Sequence, residues 1–451
     1  MTQSTHPDDT LLNAALAAAR DTKCLRVGHG VRHGTAAVFA SLYGSAPAMI
    51  VADENTFAAA GRDVHDSLRA AGQPCAPTLI LRGAPLYAEY SFVDQVRDAL
   101  ATTDAVPVAV GAGTIGDLTK LASHQTGRPY MTVATAASMD GYTAFGASIT
   151  FQGSKQTFQC PAAQAVVADL DVICAAPDGL NASGYADLVA KIPAGADWLV
   201  ADALGVEMID QPVWDTVQQR LRQWCADPDG VRLRNPESIR GLITGLMMTG
   251  FAMQAACASR PASGAEHQFS HLWDMEHHTH NGAAPSHGFK VGIGSLASVA
   301  MYEALLEMPL ASLDVRAAVA AWPDASALES EIASLFTIKE LAAKSREESL
   351  AKLLSRDELS QQLALLKDVW PALAPRLRSQ LGRYSEFRAM LAAAGAPTDS
   401  RQIGISTERL ALSCRQAYHL RRRFTVLDLA RRTANFDAAV ANVVALATAA
   451  S

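Results

Sequence analysis

Ala105-Val-Pro-Val-Ala-Val-Gly111-Ala-Gly113-Thr-Ile-Gly116-Asp117-Leu-Thr119 decides the fold. A short apolar run meets a glycine-rich turn, and a helical pattern follows at once. Glycines let backbone amides approach a phosphate, and the helix N-terminus behind them favours an anion. Gly111, Gly113 and Gly116 have the spacing of a dinucleotide-binding turn in the strand–turn–helix context such a turn needs. The same residues also suit a plain tight turn, and the pattern alone leaves both readings open. Outward from it, Ala48–Ala52, Thr78–Leu81 and Tyr130–Val133 read as further buried strands, with helical stretches at Ser91–Thr102 and Asp117–Ser123. Strands alternating with helices predict a parallel α/β sheet. Ala165–Ala168 reads as one more strand, expected in a hairpin with Ser148–Phe151.

After Pro177 no convincing strand appears. Helical patterns dominate at 180–191, 213–226, 237–258, 292–306, 327–354, 358–369 and 406–423. The expectation is an α/β domain with a Rossmann-like sheet over 1–177, binding a dinucleotide. An all-helical domain over 178–451, binding metal and substrate, would follow it, with the site in the cleft between them.

The chain has 451 residues, a net charge of −7, 49% hydrophobic and 18% charged residues. That composition excludes a disordered chain. Its acidity argues against sequence-independent nucleic-acid binding, so Arg421-Arg-Arg423 reads as a solvated or packed helix face. Seven scattered cysteines without a CxxC pair fit a reducing, cytoplasmic setting. The polar, acidic start MTQSTHPDDT is not a signal peptide. The uncharged stretch Gly241–Ser259 carries three glycines and several polar residues, so it reads as a buried helix rather than a membrane span.

Two more stretches carry chemistry. Thr135-Ala-Ala-Ser138-Met-Asp140-Gly141-Tyr142 places hydroxyls and a carboxylate at the end of a parallel strand, where α/β sheets bind ligands; a polar turn is the plainer reading. His267, His271, His277, His278, His280 and His287 fall within one short span. His267 and His271 share a helix face, and His287 precedes the next helix. With Asp187 as an acidic candidate, a His₂Asp set would hold a divalent metal and leave a position open. His277, His278 and His280 read as a solvated loop.

In order, GAGTIGD (111–117), TVATAASMDGYT (132–143), ADLDVI (168–173), SGYADLVAK (183–191), SGAEHQFSHLWDME (263–276) and SHGFKVGIG (286–294) resemble the sn-glycerol-1-phosphate dehydrogenases, most nearly the bacterial AraM-type branch. These sit in the superfamily of iron-containing alcohol dehydrogenases, glycerol dehydrogenases and dehydroquinate synthases. The stretches 51–57 and 416–428 are similar too, so the resemblance spans nearly the whole chain. It implies that Asp53 holds the adenosine ribose. It implies that Gly113, Thr114, Ile115, Gly116 and Asp117 line the pyrophosphate, and that Thr135, Ala136, Ala137 and Ser138 form a second cofactor-binding stretch. It implies Asp140 as a substrate-binding carboxylate, His271 as a substrate-side histidine, and Asp187, His267 and His287 as metal ligands. Ala144 stands where the family often has a serine near the cofactor.

The implied activity is metal-dependent reduction of dihydroxyacetone phosphate to sn-glycerol 1-phosphate with NAD(H), NADP(H) being often accepted in the family. Nickel or zinc is the implied metal, and a homodimer the implied assembly. A polyol dehydrogenase, a dehydroquinate-synthase-like cyclase and a metal-binding relative without catalysis are the alternatives. The intact Asp140, Asp187, His267 and His287 count against the last.

Overall fold

The computed structural model describes residues 6–83, 86–152 and 154–449. The first five residues of the polar start lie outside the described residues. Eight strands are described: β1 (Cys24–Gly28), β2 (Ala48–Ala52), β3 (Leu79–Ile80), β4 (Val106–Gly111), β5 (Met131–Ala134), β6 (Ala147–Phe151), β7 (Ser154–Phe158) and β8 (Ala165–Asp169). Six of them form one sheet in the order β1-β8-β5-β4-β2-β3, with every pairing parallel. The helices used below are, in chain order, α1 (Gly113–Gln125), α2 (Asp178–Val189), α3 (Lys191–Ala203), α4 (Pro236–Ala256), α5 (Ala265–Met275), α6 (His287–Glu307), α7 (Arg356–Leu381) and α8 (Thr407–Tyr418).

The central strands are buried on both faces. Ile50, Val108, Val110, Val133 and Val167 fill one core layer, and Met49, Val51 and Ala109 the other. A strand covered on both sides has no polar face, so its sequence is a continuous apolar run. Because all six strands run the same way, their carboxyl ends share one edge. The chain goes outward from β2 to β3, then returns to the other side of β2 for β4 and continues outward to β5 and β8. The switch lies between β2 and β4, the place where open α/β sheets bind ligands. Asp53 follows β2 there, and Gly111 ends β4.

One expectation is corrected. Ala165–Asp169 is not half of a hairpin but a central parallel strand, paired with β1 on one side and β5 on the other. The hairpin is β6 with β7, antiparallel, with Phe151 opposite Ser154. Every residue of β8 is buried, which suits a sheet interior and not a solvated ribbon.

From Asp178 onward every described regular element is helical, as expected. Compactness, however, divides the chain differently from a cut at 177. One unit is Met1–Leu188 with Pro212–Pro261; the other is Val189–Gln211 with Ala262–Ser451. The reason is α4, which packs on the helices Pro7–Ala18 and Leu170–Cys174 of the first unit. Its glycines allow this: a Cβ at Gly250 would lie 2.9 Å from the backbone nitrogen of Ala144. The Gly241–Ser259 stretch is thus largely this buried helix. Among the described residues one helix, α6 and not α4, is long and apolar enough to cross a membrane, and 83% of its apolar window is buried. Several expected helices differ in extent: the 213–226 pattern breaks between Gln218 and Leu221, and the 406–423 helix ends at Tyr418. The 327–354 pattern breaks between Leu335 and Lys339, and α7 continues through Pro371 and Pro375.

In the second unit α5 packs along α6, and the contact is close at Gly294, where a Cβ would sit 2.5 Å from the Glu266 carbonyl oxygen. Asp197 on α3 is buried and accepts hydrogen bonds from the Ala265 N–H (2.8 Å), the Val426 N–H (2.8 Å) and the Tyr302 hydroxyl (2.6 Å). It therefore satisfies the starts of two helices at once.

Candidate active site

At the β2–β4 edge, α1 begins at Gly113 with no side-chain cap on its first turn. Its leading N–H groups thus point at the sheet edge without a capping oxygen, which is the arrangement an anion completes. Gly116 opens onto space: a Cβ there meets nothing within 4 Å. Asp117 is turned the other way. Its carboxylate accepts the Ser148 N–H at 3.0 Å and pairs with Lys120 at 3.4 Å. Lys120 is buried, and its ammonium donates to the carbonyls of Gly141 (3.1 Å), Ala144 (3.0 Å) and Gly146 (2.9 Å). This lysine, which the sequence reading passed over, shapes the loop after Asp140. Ala144 takes part through its backbone, with its methyl group buried.

Asp53 caps a turn with one oxygen: Oδ1 accepts the Thr56 N–H at 2.8 Å, while its own N–H donates to Thr56 Oγ1 at 3.0 Å. The other carboxylate oxygen accepts no hydrogen bond from the described residues.

The Thr135–Ser138 stretch leaves β5 and is fixed from α2. The Ala137 N–H donates to Asn181 Oδ1 at 3.1 Å, and the Ser183 hydroxyl donates to the Ser138 carbonyl at 3.3 Å. The Tyr142 hydroxyl donates to the Ala136 carbonyl at 2.5 Å. A Cβ at Gly184 would run into the Ala137 carbonyl oxygen, with the carbonyl carbon only 2.7 Å away. Asp140 follows, and its N–H donates to Asp187 Oδ2 at 3.2 Å.

On α5, His267 and His271 are both buried, with ring centroids 6.4 Å apart. His287 opens α6, and its ring centroid lies 5.3 Å from that of His267. His267 Nδ1 is 2.8 Å from Glu266 Oε1, and His287 Nδ1 is 3.4 Å from Ser270 Oγ. Turning both Nδ1 atoms to such partners directs both Nε2 atoms to the ligand side. Asp187, His267 and His287 each offer one ligand atom, and these atoms lie within 4.8 Å of one another. Two imidazoles and a carboxylate, buried or half-buried, are a donor set that fits a first-row divalent ion.

Glu266 was missed at the sequence level. It is fully buried, and it accepts the Gly264 N–H at 2.6 Å as well as facing His267. Burial pushes its carboxyl up to about 7, against the opposing pull of that N–H. The E-H pair behind a glycine was the only available signal.

The other three histidines stand apart. His277 is exposed; His278 Nε2 is 2.7 Å from the Ile403 carbonyl; His280 packs beside Gly404. Replacing each by alanine should leave kcat/KM within about twofold of wild type, because exposed and loop-packed side chains contribute little to transition-state binding. Steady-state kinetics checks this, and a large loss would mean that the ligands are misassigned.

The family model for iron-containing alcohol dehydrogenases matches residues 26–177. A glycerol-1-phosphate dehydrogenase (NAD(P)+) of Halalkalibacterium halodurans is 38% identical over 256 residues, 56% of this chain and 64% of that one. A glycerol-1-phosphate dehydrogenase (NAD(P)+) of Geobacillus thermodenitrificans is 31% identical over 84% of this chain and 85% of its own length. Among solved structures, a probable glycerol dehydrogenase from Sinorhizobium meliloti superposes with a TM-score of 0.60 at 15% identity, covering 95% of this chain and 98% of that one. At that identity the likeness is one of fold.

Proposed function

The chain belongs to the glycerol-1-phosphate dehydrogenases, within the iron-containing alcohol dehydrogenases, and we propose that it reduces dihydroxyacetone phosphate reversibly to sn-glycerol 1-phosphate. The observation that carries this reading is the His₂Asp group with Asp140 hydrogen-bonded to it. Asp187, His267 and His287 would hold one divalent ion, nickel or zinc. When bound, that ion supplies Lewis acidity toward a carbonyl oxygen, and the nicotinamide supplies hydride.

The rest of the work falls to the chain's own groups. The amides at the start of α1 and the Thr135–Ser138 loop bind the pyrophosphate end of NAD(H). Asp53 accepts hydrogen bonds from the ribose hydroxyls. Asp140 orients the substrate hydroxyl, and His271 stands ready to give the product oxygen its proton. In this reading the sheet-bearing unit binds the nucleotide and carries Asp140 and Asp187, and the helical unit carries His267, His271 and His287. A cytoplasmic setting is supported by the seven scattered cysteines without a CxxC pair, and a homodimer by the family resemblance alone.

The test is NADH absorbance with the metal-loaded enzyme. Dihydroxyacetone phosphate should be turned over with kcat/KM at least about 100-fold above that for dihydroxyacetone, because binding of the remote phosphate orients the carbonyl. Equal use of both would contradict the reading.

Cofactor choice follows from Asp53. A 2′-phosphate beside its carboxylate is repelled, and no arginine follows until Arg62. NADH should be preferred over NADPH. Asp53→Ser keeps a good capping oxygen for the Thr56 N–H and removes the charge. The NADH/NADPH ratio of kcat/KM should fall at least about 10-fold; an unchanged ratio would leave Asp53 as a turn cap only.

A further inference from the structure

Three consecutive arginines follow α8, and they meet three different fates. Arg422 is held by Glu348: its N–H and Nε both lie 2.9 Å from Oε2, and Nη2 lies 3.1 Å from Oε1. Arg423 Nη1 donates to the Ser263 carbonyl at 2.8 Å. Arg421 pairs with no carboxylate among the described residues. Its side chain makes one hydrogen bond among the described residues, Nη2 at 3.0 Å from His271 Nε2.

That isolation has a physical cost. Burial pulls the Arg421 guanidinium below the ordinary arginine value, and the carboxylates that act on it, Glu348 and Glu266, do so only at a distance. Both are already engaged. Glu348 is bound by Arg422 and also lies 2.7 Å from Lys344. Glu266 accepts from Gly264 and faces His267. A half-buried guanidinium without a carboxylate partner is disfavoured, and a bound anion relieves the penalty. The planar fork of arginine matches phosphate oxygens in pairs. The partner of Arg421 is His271, one helical turn from the metal-ligand candidate His267 on the same helix face. An anion held by the remaining N–H groups of Arg421 would therefore lie a few bonds from a carbonyl placed near His267.

We infer that Arg421, positioned by His271, receives the phosphate of the substrate. This rests on the functional reading above and adds to it the group that distinguishes a phosphorylated ketone from a free polyol.

The experiment compares wild type, Arg421→Met, Arg421→Lys and Arg422→Met, each loaded with metal. Inorganic phosphate is the probe for melting, and dihydroxyacetone phosphate and dihydroxyacetone are the substrates. Phosphate should raise the melting temperature of wild type and Arg422→Met, since a ligand of the native state stabilises it. The rise should vanish in Arg421→Met and shrink in Arg421→Lys. The preference for dihydroxyacetone phosphate over dihydroxyacetone should collapse at least about 100-fold in Arg421→Met and hold in Arg422→Met. An undiminished phosphate shift or an unchanged preference in Arg421→Met overturns the inference while leaving the functional reading in place. If wild type turns over no dihydroxyacetone phosphate, the functional reading fails, and the phosphate melts alone decide whether Arg421 binds an anion. Should Arg421→Met not fold, the Arg421→Lys comparison decides: a phosphate shift equal to wild type overturns the inference.

Discussion

Replacing His267 by alanine should lower kcat/KM by at least about 1000-fold and leave a protein that still melts cooperatively. The imidazole is one of two nitrogen donors in the His₂Asp group, and loss of a ligand removes the charge stabilisation at the carbonyl oxygen. The fold does not depend on it. Helix α5 is anchored by Phe269 and Trp273, both fully buried, by the Trp273 indole donating to Ser413 at 2.9 Å, and by Asp197 at the Ala265 N–H. His287→Ala should behave alike. Bound metal per chain, measured alongside kinetics and a thermal melt, separates this outcome from unfolding. Chelation of the wild type should inactivate it, with rescue by Ni²⁺ or Zn²⁺. Full activity in a metal-free preparation would rule out the mechanism.

The largest structural effect is expected at Gly184. A methyl group there collides with the Ala137 carbonyl, which is backbone and cannot rotate away. Either α2 or the Thr135–Ser138 loop must move, so Gly184→Ala should cost about 3 kcal/mol or more. NADH affinity should fall with it, because the Asn181 and Ser183 hydrogen bonds to that loop are disturbed. Gly116→Ala makes the contrast. It meets nothing within 4 Å and lies in a helix, so stability should hold or rise by about 0.5–1 kcal/mol. If the proposed cofactor site is right, nucleotide binding should still weaken, because the methyl group enters the space where the pyrophosphate would lie. Urea midpoints and NADH titration give both readouts. A Gly184→Ala protein of wild-type stability would show that the helix–loop contact is looser than described.

Much of this was legible in the sequence because the physics is local. A strand buried on both faces must be apolar throughout, so β2, β4 and β5 announce themselves, and the glycine turn after β4 follows directly. The three glycines of Gly241–Ser259 suit a buried helix, and Gly250 packs closely against Thr143 and Ala144. What was not legible depends on distant partners. β8 looks the same whether it pairs with a neighbour in sequence or with β1, which lies more than a hundred residues upstream. β1 itself is short and carries an exposed Arg26, so it gives little apolar signal. The prolines of α7 suggest a stop, yet the helix runs on, as tertiary packing overrides local propensity. Glu266 and Arg421 are ordinary charged residues by type, and only their surroundings in the fold single them out. The helix-face reading of 421–423 is corrected, because the helix ends at Tyr418 and the three arginines lie in the loop that follows.

Product stereochemistry is the most direct test of the central claim. Metal-loaded enzyme is given NADH and dihydroxyacetone phosphate until absorbance stops falling, and the product is then offered to a dehydrogenase specific for sn-glycerol 3-phosphate with fresh NAD⁺. The expected result is stoichiometric NADH loss in the first step and no consumption of product in the second. No NADH loss, or a product that the second enzyme consumes, would contradict assignment of this chain as a reductase that makes sn-glycerol 1-phosphate.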